Sequence, residues 1–296
     1  MTDSLILALV ADIHHGVDHF TKKGSAALGL MSKFADAVAS ANPHAVIDLG
    51  DRISDCDHET DLRLEREVAE AFKAIRQPIY HLNGNHDRDY LSVADNEAIL
   101  GQSLAHQTVD IGGWRLVLWR ADSQIRRPGG FLLTEHDLLW LAGVVREADR
   151  PLAIMSHVPV SGHSQIGNYY FQRNPMASTY PGAERVRDVL RMARVPVMWV
   201  SGHVHWNTLT MVDGIPHFTL QSLTETFTTY PHPAASFAIL ELSDVIDWRV
   251  FGTDTFSASL DVSSANRRWM TPLPPFEEHP EARMRRLQDA ANGTGA

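Results

Sequence analysis

LILALVADIH, at residues 5–14, joins a continuous apolar run to Asp12 and His14. An uninterrupted apolar run of this length is typical of a strand that is buried on both faces of a parallel sheet. Ligands bind at the carboxyl ends of the strands in such sheets, which is where Asp12 and His14 would lie. The stretch therefore predicts a buried first strand that delivers a carboxylate and an imidazole to a binding site.

Four further apolar runs end in the same way, each in a cluster of polar side chains. The runs and their clusters are Ala45–Leu49 before Gly50-Asp51, Pro78–Leu82 before Asn83-Gly84-Asn85-His86-Asp87, Pro151–Met155 before Ser156-His157, and Pro196–Val200 before Ser201-Gly202-His203-Val204-His205. Because the carboxyl ends of parallel strands share one edge of a sheet, we expect all five clusters to converge there.

Residues at helical spacing separate these strands. They predict helices over about 24–41, around Leu64–Ile75, after the N-cap residue Thr134, and over about 183–194. Strands that alternate with helices predict an α/β fold with a mostly parallel sheet. Near the end of the chain, Asp213-Gly214 between apolar runs predicts a β-hairpin, and Ala235–Leu242 with Val245–Phe251 predicts a second antiparallel pair.

The domain organisation follows from this pattern. We expect residues 1–255 to form one catalytic domain. The last 25 or so residues are rich in Pro, Glu and Arg, so residues 256–296 are expected to form a C-terminal arm. That arm would be partly disordered or would pack on the domain or on a partner in a homo-oligomer.

Composition restricts the class of protein. The chain has 296 residues, of which 44% are hydrophobic and 21% charged, as in ordinary globular proteins. Its net charge of −10 would repel a phosphate backbone, so a nucleic-acid polymer is not the expected partner. No apolar run approaches the length of a membrane span, and the single cysteine, Cys56, suits a reducing compartment; we expect a cytoplasmic protein.

Each polar cluster is weak evidence when it is taken alone. Asp12 can serve as a cap, and His203 and His205 can be ordinary structural side chains. Five clusters in one order, each after an apolar strand, instead indicate a metal site. Mixed carboxylate, imidazole and amide ligands suit divalent Mn, Fe, Zn or Co better than Ca or Cu(I).

At these clusters the chain resembles the calcineurin-like metallophosphoesterase superfamily. The shared pattern is Asp-x-His, Gly-Asp, Gly-Asn-His-Asp, a later His, and Gly-His-x-His, and it extends over residues 5 to about 220. The resemblance implies a four-layer α/β fold, in which two mixed β-sheets pack as a sandwich between outer helices.

The resemblance also implies roles for eight residues. Asp12, His14 and His205 would hold one metal; Asn85, His157 and His203 would hold a second; Asp51 would bridge the two; and His86 would act beside them as the catalytic residue. Two cations ~3.5–4 Å apart can activate a bridging hydroxide for in-line attack on phosphorus. His86 could then stabilise the transition state or protonate the leaving group.

Departures from the family patterns narrow the expected activity. Ser/Thr protein phosphatases of this superfamily have the motifs Gly-Asp-x-x-Asp-Arg and Arg-Gly-Asn-His-Glu. This chain has Asp55 where the first motif ends in Arg, and Asp87 where the second motif ends in Glu. Purple acid phosphatases place a tyrosine where this chain has Ser54. What remains resembles the bacterial branch that hydrolyses cyclic nucleotides and glycerophosphodiesters. Asp55 is a candidate for the outer-sphere role that Ser54 does not fill.

Candidate substrate contacts lie near the predicted ligands. His15 follows the first cluster and faces either substrate or solvent. The loop 162–182 lies between two ligand clusters, and Tyr169, Tyr170 and Arg173 could stack on a base or meet a phosphate. A packed loop or a dimer contact is the alternative for these three residues.

Three functions are therefore compared. The first is a dinuclear metal-dependent phosphodiesterase acting on a small diester, such as a cyclic nucleotide or glycerophosphodiester. The second is a phosphomonoesterase or nucleotide pyrophosphatase on the same metal centre. The third is a non-catalytic scaffold, which is disfavoured because all seven predicted ligands and His86 are present.

Overall fold

The computed structural model describes residues 4–275, 278 and 280–291. Its strands are β1 (Leu5–Val10), β2 (Ala45–Asp48), β3 (Ile79–His81), β4 (Gln107–Ile111), β5 (Trp114–Leu118), β6 (Leu152–Ser156), β7 (Val197–Ser201), β8 (Thr208–Val212), β9 (Ile215–Thr219), β10 (Phe237–Leu242), β11 (Val245–Phe251) and β12 (Phe256–Asp261). Its α-helices are α1 (Ala27–Ala41), α2 (His58–Phe72), α3 (His86–Asp89), α4 (Val93–Leu100), α5 (Glu135–Arg146), α6 (Ala183–Arg191) and α7 (Pro280–Ala291).

The strands form two mixed sheets of six strands each. The first sheet has the order β12-β11-β10-β1-β2-β3 and the second has the order β4-β5-β6-β7-β9-β8. In the first sheet β1, β2 and β3 are parallel, and β10, β11 and β12 continue it antiparallel. The prediction of an α/β fold with two mixed sheets is confirmed.

The main core lies between the two sheets. Leu7 and Leu240 from the first sheet pack there with Met198 and Phe218 from the second, and all four are fully buried. Helices α1 and α2 cover the outer face of the first sheet, and α5 and α6 cover the outer face of the second. This is the layered sandwich that the resemblance implied, and it buries β1, β2, β6 and β7 on both faces.

Two edge strands were not predicted. Strand β4 carries mostly polar residues and is largely exposed, so it lacks an apolar signature. Strand β12 alternates exposed and half-buried residues, and it falls within the segment 256–296 that was expected to be an arm. Residues 256–261 thus complete the first sheet, while the boundary between a catalytic domain and an arm remains a prediction.

The hairpin predicted at Asp213-Gly214 joins β8 to β9. Both turn residues have positive φ, 54° and 80°, as a tight two-residue hairpin turn requires. None of the helices within residues 4–275 and 280–291 has the length and apolarity to span a bilayer.

A buried guanidinium ties together the loops that follow β2 and β3. Arg52 is fully buried and pairs with three carboxylates. Its donors reach Asp48 Oδ2 at 2.8 Å, Glu65 Oε1 at 2.5 Å, Leu82 O at 2.5 Å, Asn83 Oδ1 at 2.8 Å and Asn96 Oδ1 at 3.1 Å, and Asp87 Oδ2 lies 3.3 Å away. The network thereby links β2, α2, β3, α3 and α4.

One guanidinium cannot balance three buried carboxylates alone. Burial is the largest effect on Glu65 and, against the Arg52 charge, raises the pKa of that carboxyl to about 8. A protonated Glu65 at neutral pH also agrees with its Oε2 atom, which is buried and has no hydrogen-bond partner among the described residues. Burial and the neighbouring carboxylates therefore favour the protonated form of Glu65.

Replacing Arg52 with Met should destabilise the protein strongly, because it leaves the carboxylates of Asp48 and Asp87 buried without a counter-charge. We expect the free energy of unfolding to fall by about 3–5 kcal/mol, measured by urea denaturation. Arg66→Met, at an exposed position of α2, is the matched control and should change it by no more than about 0.5 kcal/mol. Equal stability of the two variants would contradict the assigned role of Arg52.

Candidate metal centre

The loops that carry the predicted ligands have an unusual backbone. Five non-glycine residues in them have positive φ between 46° and 71°: Asp12, His14, Asp51, His203 and His205. This left-handed region is costly for residues with a Cβ, and such residues concentrate at functional sites. Backbone hydrogen bonds between loops hold the conformation, including Asp12 N–H to Gly50 O at 2.9 Å and His14 N–H to Asp51 O at 3.0 Å.

The first group of predicted ligands converges as expected. Ligand atoms of Asp12, His14, Asp51 and His205 all lie within 4.8 Å of one another. The Nε2 atoms of His14 and His205 are 2.9 Å apart, and Asp12 Oδ1 is 3.4 Å from His205 Nε2. Four ligand atoms that face one another at these distances can coordinate a cation.

A second group shares Asp51 with the first. Ligand atoms of Asp51, His157 and His203 also lie within 4.8 Å of one another. His157 Nε2 is 3.4 Å from Asp51 Oδ2 and 3.3 Å from Asn85 Oδ1. Asp51 therefore lies between the two groups, where a bridging carboxylate would be placed.

Hydrogen bonds fix the tautomers of three imidazoles in a form suited to metal ligation. His157 Nδ1 donates to Leu49 O at 2.8 Å, and His203 Nε2 donates to Ala177 O at 2.8 Å. His205 Nδ1 donates to Glu225 Oε2 at 3.0 Å. In each ring this leaves the other nitrogen to offer its lone pair to the centre once that nitrogen is deprotonated, which is the usual arrangement around metal-bound histidines. The residues present therefore fit divalent metal ions, which the two candidate groups would hold.

The electrostatic environment of the histidines also favours positive charge at the centre. Burial is the largest effect on His157 and His205, yet Asp51 and Asp12 respectively outweigh it and raise both pKa values to about 9. Burial holds the pKa of His14 well below its usual range and lowers that of His203 to about 3. The carboxylates thus attract protons to the positions where cations would lie, and metal binding would release those protons.

Gly84 allows the loop after β3 to approach the shared carboxylate. A Cβ atom at this position would overlap Asp51 Oδ1, which leaves no room for any side chain. The Asp87 carboxylate accepts from the N–H groups of Asp51, Arg52 and Gly84 at 2.8–2.9 Å. Glycine and the buried acid together hold Asn85 and His86 against Asp51.

His86 lies beside the centre and outside both groups of ligand atoms. Its Nδ1 atom hydrogen-bonds the carboxylate of Asp55, which leaves Nε2 as the free nitrogen. The ring is partly exposed and lies 4.8 Å from that of His14, between centroids. Asp55 therefore contacts the ring of His86, and the outer-sphere role suggested for Asp55 stays a prediction.

Of the predicted substrate contacts, three lie together and one does not. Tyr169, Tyr170 and Arg173 line an open groove of about 550 Å³, together with Phe20, Gly167, Asn168, Gln172 and Asn174. The ring of His15 instead hydrogen-bonds Glu67 of α2 at 2.7 Å, so it is directed toward that helix.

The loop 162–182 packs against the second ligand group. Asn168 Nδ2 donates to Val204 O at 2.8 Å, between the two histidines of the last cluster. The ring of Phe171 lies 5.0 Å from that of His203, and Ala177 O accepts the His203 proton. The loop that carries the groove residue Asn168 is thereby fixed to His203 and to the backbone before His205, two of the predicted ligands.

Glu225 was missed by the sequence analysis. Burial raises its pKa, but the hydrogen bond and charge of His205 outweigh burial and lower the pKa to about 2. The residue lies 20 positions after His205, in a loop without a recognisable pattern, and no local signal could have identified it.

Among the described residues, one other cluster has metal-ligand composition: His106, His136 and Asp137. His106 Nδ1 accepts from the Arg120 backbone N–H at 3.0 Å, so Nε2 must carry the proton that it donates to Asp137 at 2.9 Å. No lone pair remains on His106 for a cation, and Asp137 also caps α5. This cluster is structural.

The comparisons with known proteins agree with the geometry. The model of the calcineurin-like phosphoesterase family matches residues 6–207. The chain belongs to this family, and its membership supports a metal-dependent hydrolase of phosphoric esters. No curated protein sequence matched the chain.

Solved structures share the fold at low sequence identity. A dimetal phosphatase from Danio rerio has a TM-score of 0.70 and 17% identity, covering 87% of this chain and 99% of its own. A putative 5′-nucleotidase from Staphylococcus aureus has a TM-score of 0.51 and 12% identity, covering 97% of this chain and 58% of its own. A protein from Thermus thermophilus, also at 0.51, has 11% identity, covering 84% of this chain and 99% of its own.

Glu225→Ala should weaken metal binding at the group that contains His205, because the imidazole loses the acceptor that orients it. We expect a loss of about 10- to 100-fold in the affinity of one of two sites, measured by competition with a chromogenic chelator. Glu225→Gln keeps an acceptor and should lose less. Glu70→Ala, at an exposed residue of α2, is the control; a matching loss in that variant would refute the role of Glu225.

Proposed function

We propose that this protein is a dinuclear metal-dependent phosphodiesterase that hydrolyses a small phosphodiester carrying a planar aromatic group. The observation that carries the proposal is the aromatic groove, whose lining residue Asn168 is hydrogen-bonded to Val204 between His203 and His205. A cyclic nucleotide fits these requirements, and a glycerophosphodiester would use the same centre without the stacking contact.

The groove walls offer a stacking surface. The rings of Tyr169 and Phe227 are nearly parallel, with centroids 6.3 Å apart, and both Tyr169 and Tyr170 are more than half exposed. Phe20 is also exposed on the groove. Exposed aromatic rings stack on nucleobases, with about 1–3 kcal/mol per base. The walls therefore favour a flat organic substituent next to the phosphorus.

The charge of the groove favours a diester. Among its described lining residues Arg173 is the one charged side chain. A diester has one unesterified charge and a monoester about two, so a wall that supplies contact area with little charge suits an organic group. Selection between the two esters would then come from this groove, since the metal ligands serve both.

The metal ions, when bound, supply Lewis-acid stabilisation of the phosphoryl oxygens and a nucleophile at neutral pH. Asp12, His14 and His205 would hold one ion, Asn85, His157 and His203 the other, and Asp51 would bridge them. The bond to Asp55 fixes the ring orientation of His86 and leaves its Nε2 free, with the ring 4.8 Å from that of His14 between centroids. The role that this geometry suits is a proton donor to the leaving oxygen.

A phosphomonoesterase or nucleotide pyrophosphatase is the second candidate. The observation that favours it is Lys22, a half-buried lysine whose charge interacts with the carboxylates of the centre. A nearby cation stabilises a dianionic phosphoryl group more than a monoanionic one.

His86→Ala should retain both metal ions and lose rate. We expect kcat to fall by about 10²–10⁴-fold for an alkyl ester, because the leaving alkoxide is no longer protonated. The loss should shrink for p-nitrophenyl esters, whose leaving group needs no proton. Elemental analysis and initial rates on both esters test this; loss of metal in the variant would reassign His86 as a ligand.

The wild-type protein should show higher kcat/KM for diesters than for the matching monoesters. The test compares bis- with mono-p-nitrophenyl phosphate and a cyclic nucleotide with its monoester, each with Mn, Zn and Fe. Tyr169→Ala with Tyr170→Ala should lower turnover of the cyclic nucleotide by about tenfold, from the lost stacking, at unchanged metal content. Monoester rates that equal or exceed diester rates would establish the second candidate instead.

A further inference from the structure

A tight turn at residues 19–22 lies at the edge of the candidate metal centre. His19 and Lys22 exchange backbone hydrogen bonds of 3.1 and 2.9 Å, and Phe20 within the turn has a φ of 48°. Such a conformation is unfavourable for an aromatic residue and persists where the surroundings hold it. The turn presents Phe20 to the aromatic groove and Lys22 to the acidic residues of the centre.

Contacts with the loop around Glu225 fix this turn. Lys22 forms an isolated β-bridge with Glu225, and Lys23 N–H donates to Thr224 O at 2.9 Å. On the same side Thr226 Oγ1 donates to Thr21 O at 2.7 Å. Since Glu225 also orients His205, the backbone of Lys22 is held in register with a metal-binding histidine.

The Lys22 ammonium lies among carboxylates that already have other partners. Burial lowers the pKa of the Lys22 ammonium, and the nearby carboxylates of Asp51, Asp55, Glu225 and Asp12 oppose that shift. Asp51 and Asp12 belong to the ligand groups, Asp55 binds His86, and Glu225 binds His205. Within the part of the chain that the structure describes, the ammonium donates no hydrogen bond.

The ammonium has three N–H donors, and each is available to an acceptor that enters the site. Lys23, the adjacent residue, shows the ordinary alternative: it pairs with Asp18 at 3.3 Å on the surface. The Lys22 side chain combines a positive charge with N–H donors on the face of the bridge that it shares with the Glu225 side chain, and Glu225 binds His205. That combination suits an anionic oxygen.

We infer that Lys22 binds a non-bridging oxygen of the substrate phosphoryl group and of the phosphate product, and that it sets the site's relative affinity for dianionic and monoanionic esters. The inference rests on the proposed hydrolysis of phosphoric esters, but it holds for either a diester or a monoester as the preferred substrate. Lys22 acts through substrate charge, so it should leave the metal ligands unaffected.

The experiment measures inorganic phosphate binding to the metal-loaded protein by calorimetry, together with kcat/KM for bis- and mono-p-nitrophenyl phosphate. Lys22→Met should raise the Kd for phosphate by about 10- to 100-fold, the usual effect of one charge-assisted hydrogen bond. It should lower kcat/KM more for the monoester than for the diester. Lys22→Arg should recover part of both losses, and Lys23→Met should match the wild type.

Metal stoichiometry and thermal unfolding of each variant separate binding from folding. If Lys22→Met folds poorly, Lys22→Gln provides the same comparison with a side chain that can still hydrogen-bond. An unchanged phosphate Kd in a metal-loaded Lys22 variant would overturn the inference, as would equal losses on the two esters. The two proposals can fail separately. If the wild type turns over monoesters better than diesters, and Lys22→Met still loses phosphate affinity, the diester proposal is refuted and the role of Lys22 is supported.

Discussion

The guanidinium of Arg52 is the constraint on which the rest of the centre depends. It is buried on the face of the first sheet that the helices cover, and it binds groups from β2, α2, the residue after β3, and α3. Asp51 immediately precedes it, and Asp87 pairs with it while accepting the backbone N–H of Asp51. The position of the shared carboxylate is therefore set by a network that lies behind the site.

A second principle of the site is the control of charge by hydrogen bonding. Each imidazole with a fixed tautomer donates one proton to a carbonyl or carboxylate behind it and turns a lone pair toward the centre. His86 follows the same logic with Asp55, but its free nitrogen stays outside the ligand groups. The place of the free nitrogen, and not the kind of acceptor behind the ring, separates these residues: His205 and His86 both bond a carboxylate, but His205 belongs to a ligand group and His86 does not.

The sequence allowed much of this arrangement to be predicted. Each ligand cluster follows a strand, and the parallel order of β1 and β2 places Asp12 beside Asp51. His203 follows β7 of the second sheet, so its approach to them depends on the two-sheet packing that the resemblance implied. Glu225 and Lys22 could not be found in this way, because each acquires its role from a contact between distant loops. Strands β4 and β12 were not predicted for another reason. Edge strands with one or both faces in water need no continuous apolar run, so their sequences lack that signal.

The position of β1 in its sheet has a consequence for biosynthesis. This strand pairs on one side with β2 and on the other with β10, whose residues begin at Phe237. During translation one edge of the apolar segment Leu5–Val10 therefore stays without its native partner until more than two hundred further residues have left the ribosome. An unpaired apolar strand edge is a template for intermolecular association. The nascent chain would depend on chaperones or on rapid completion to keep that edge covered.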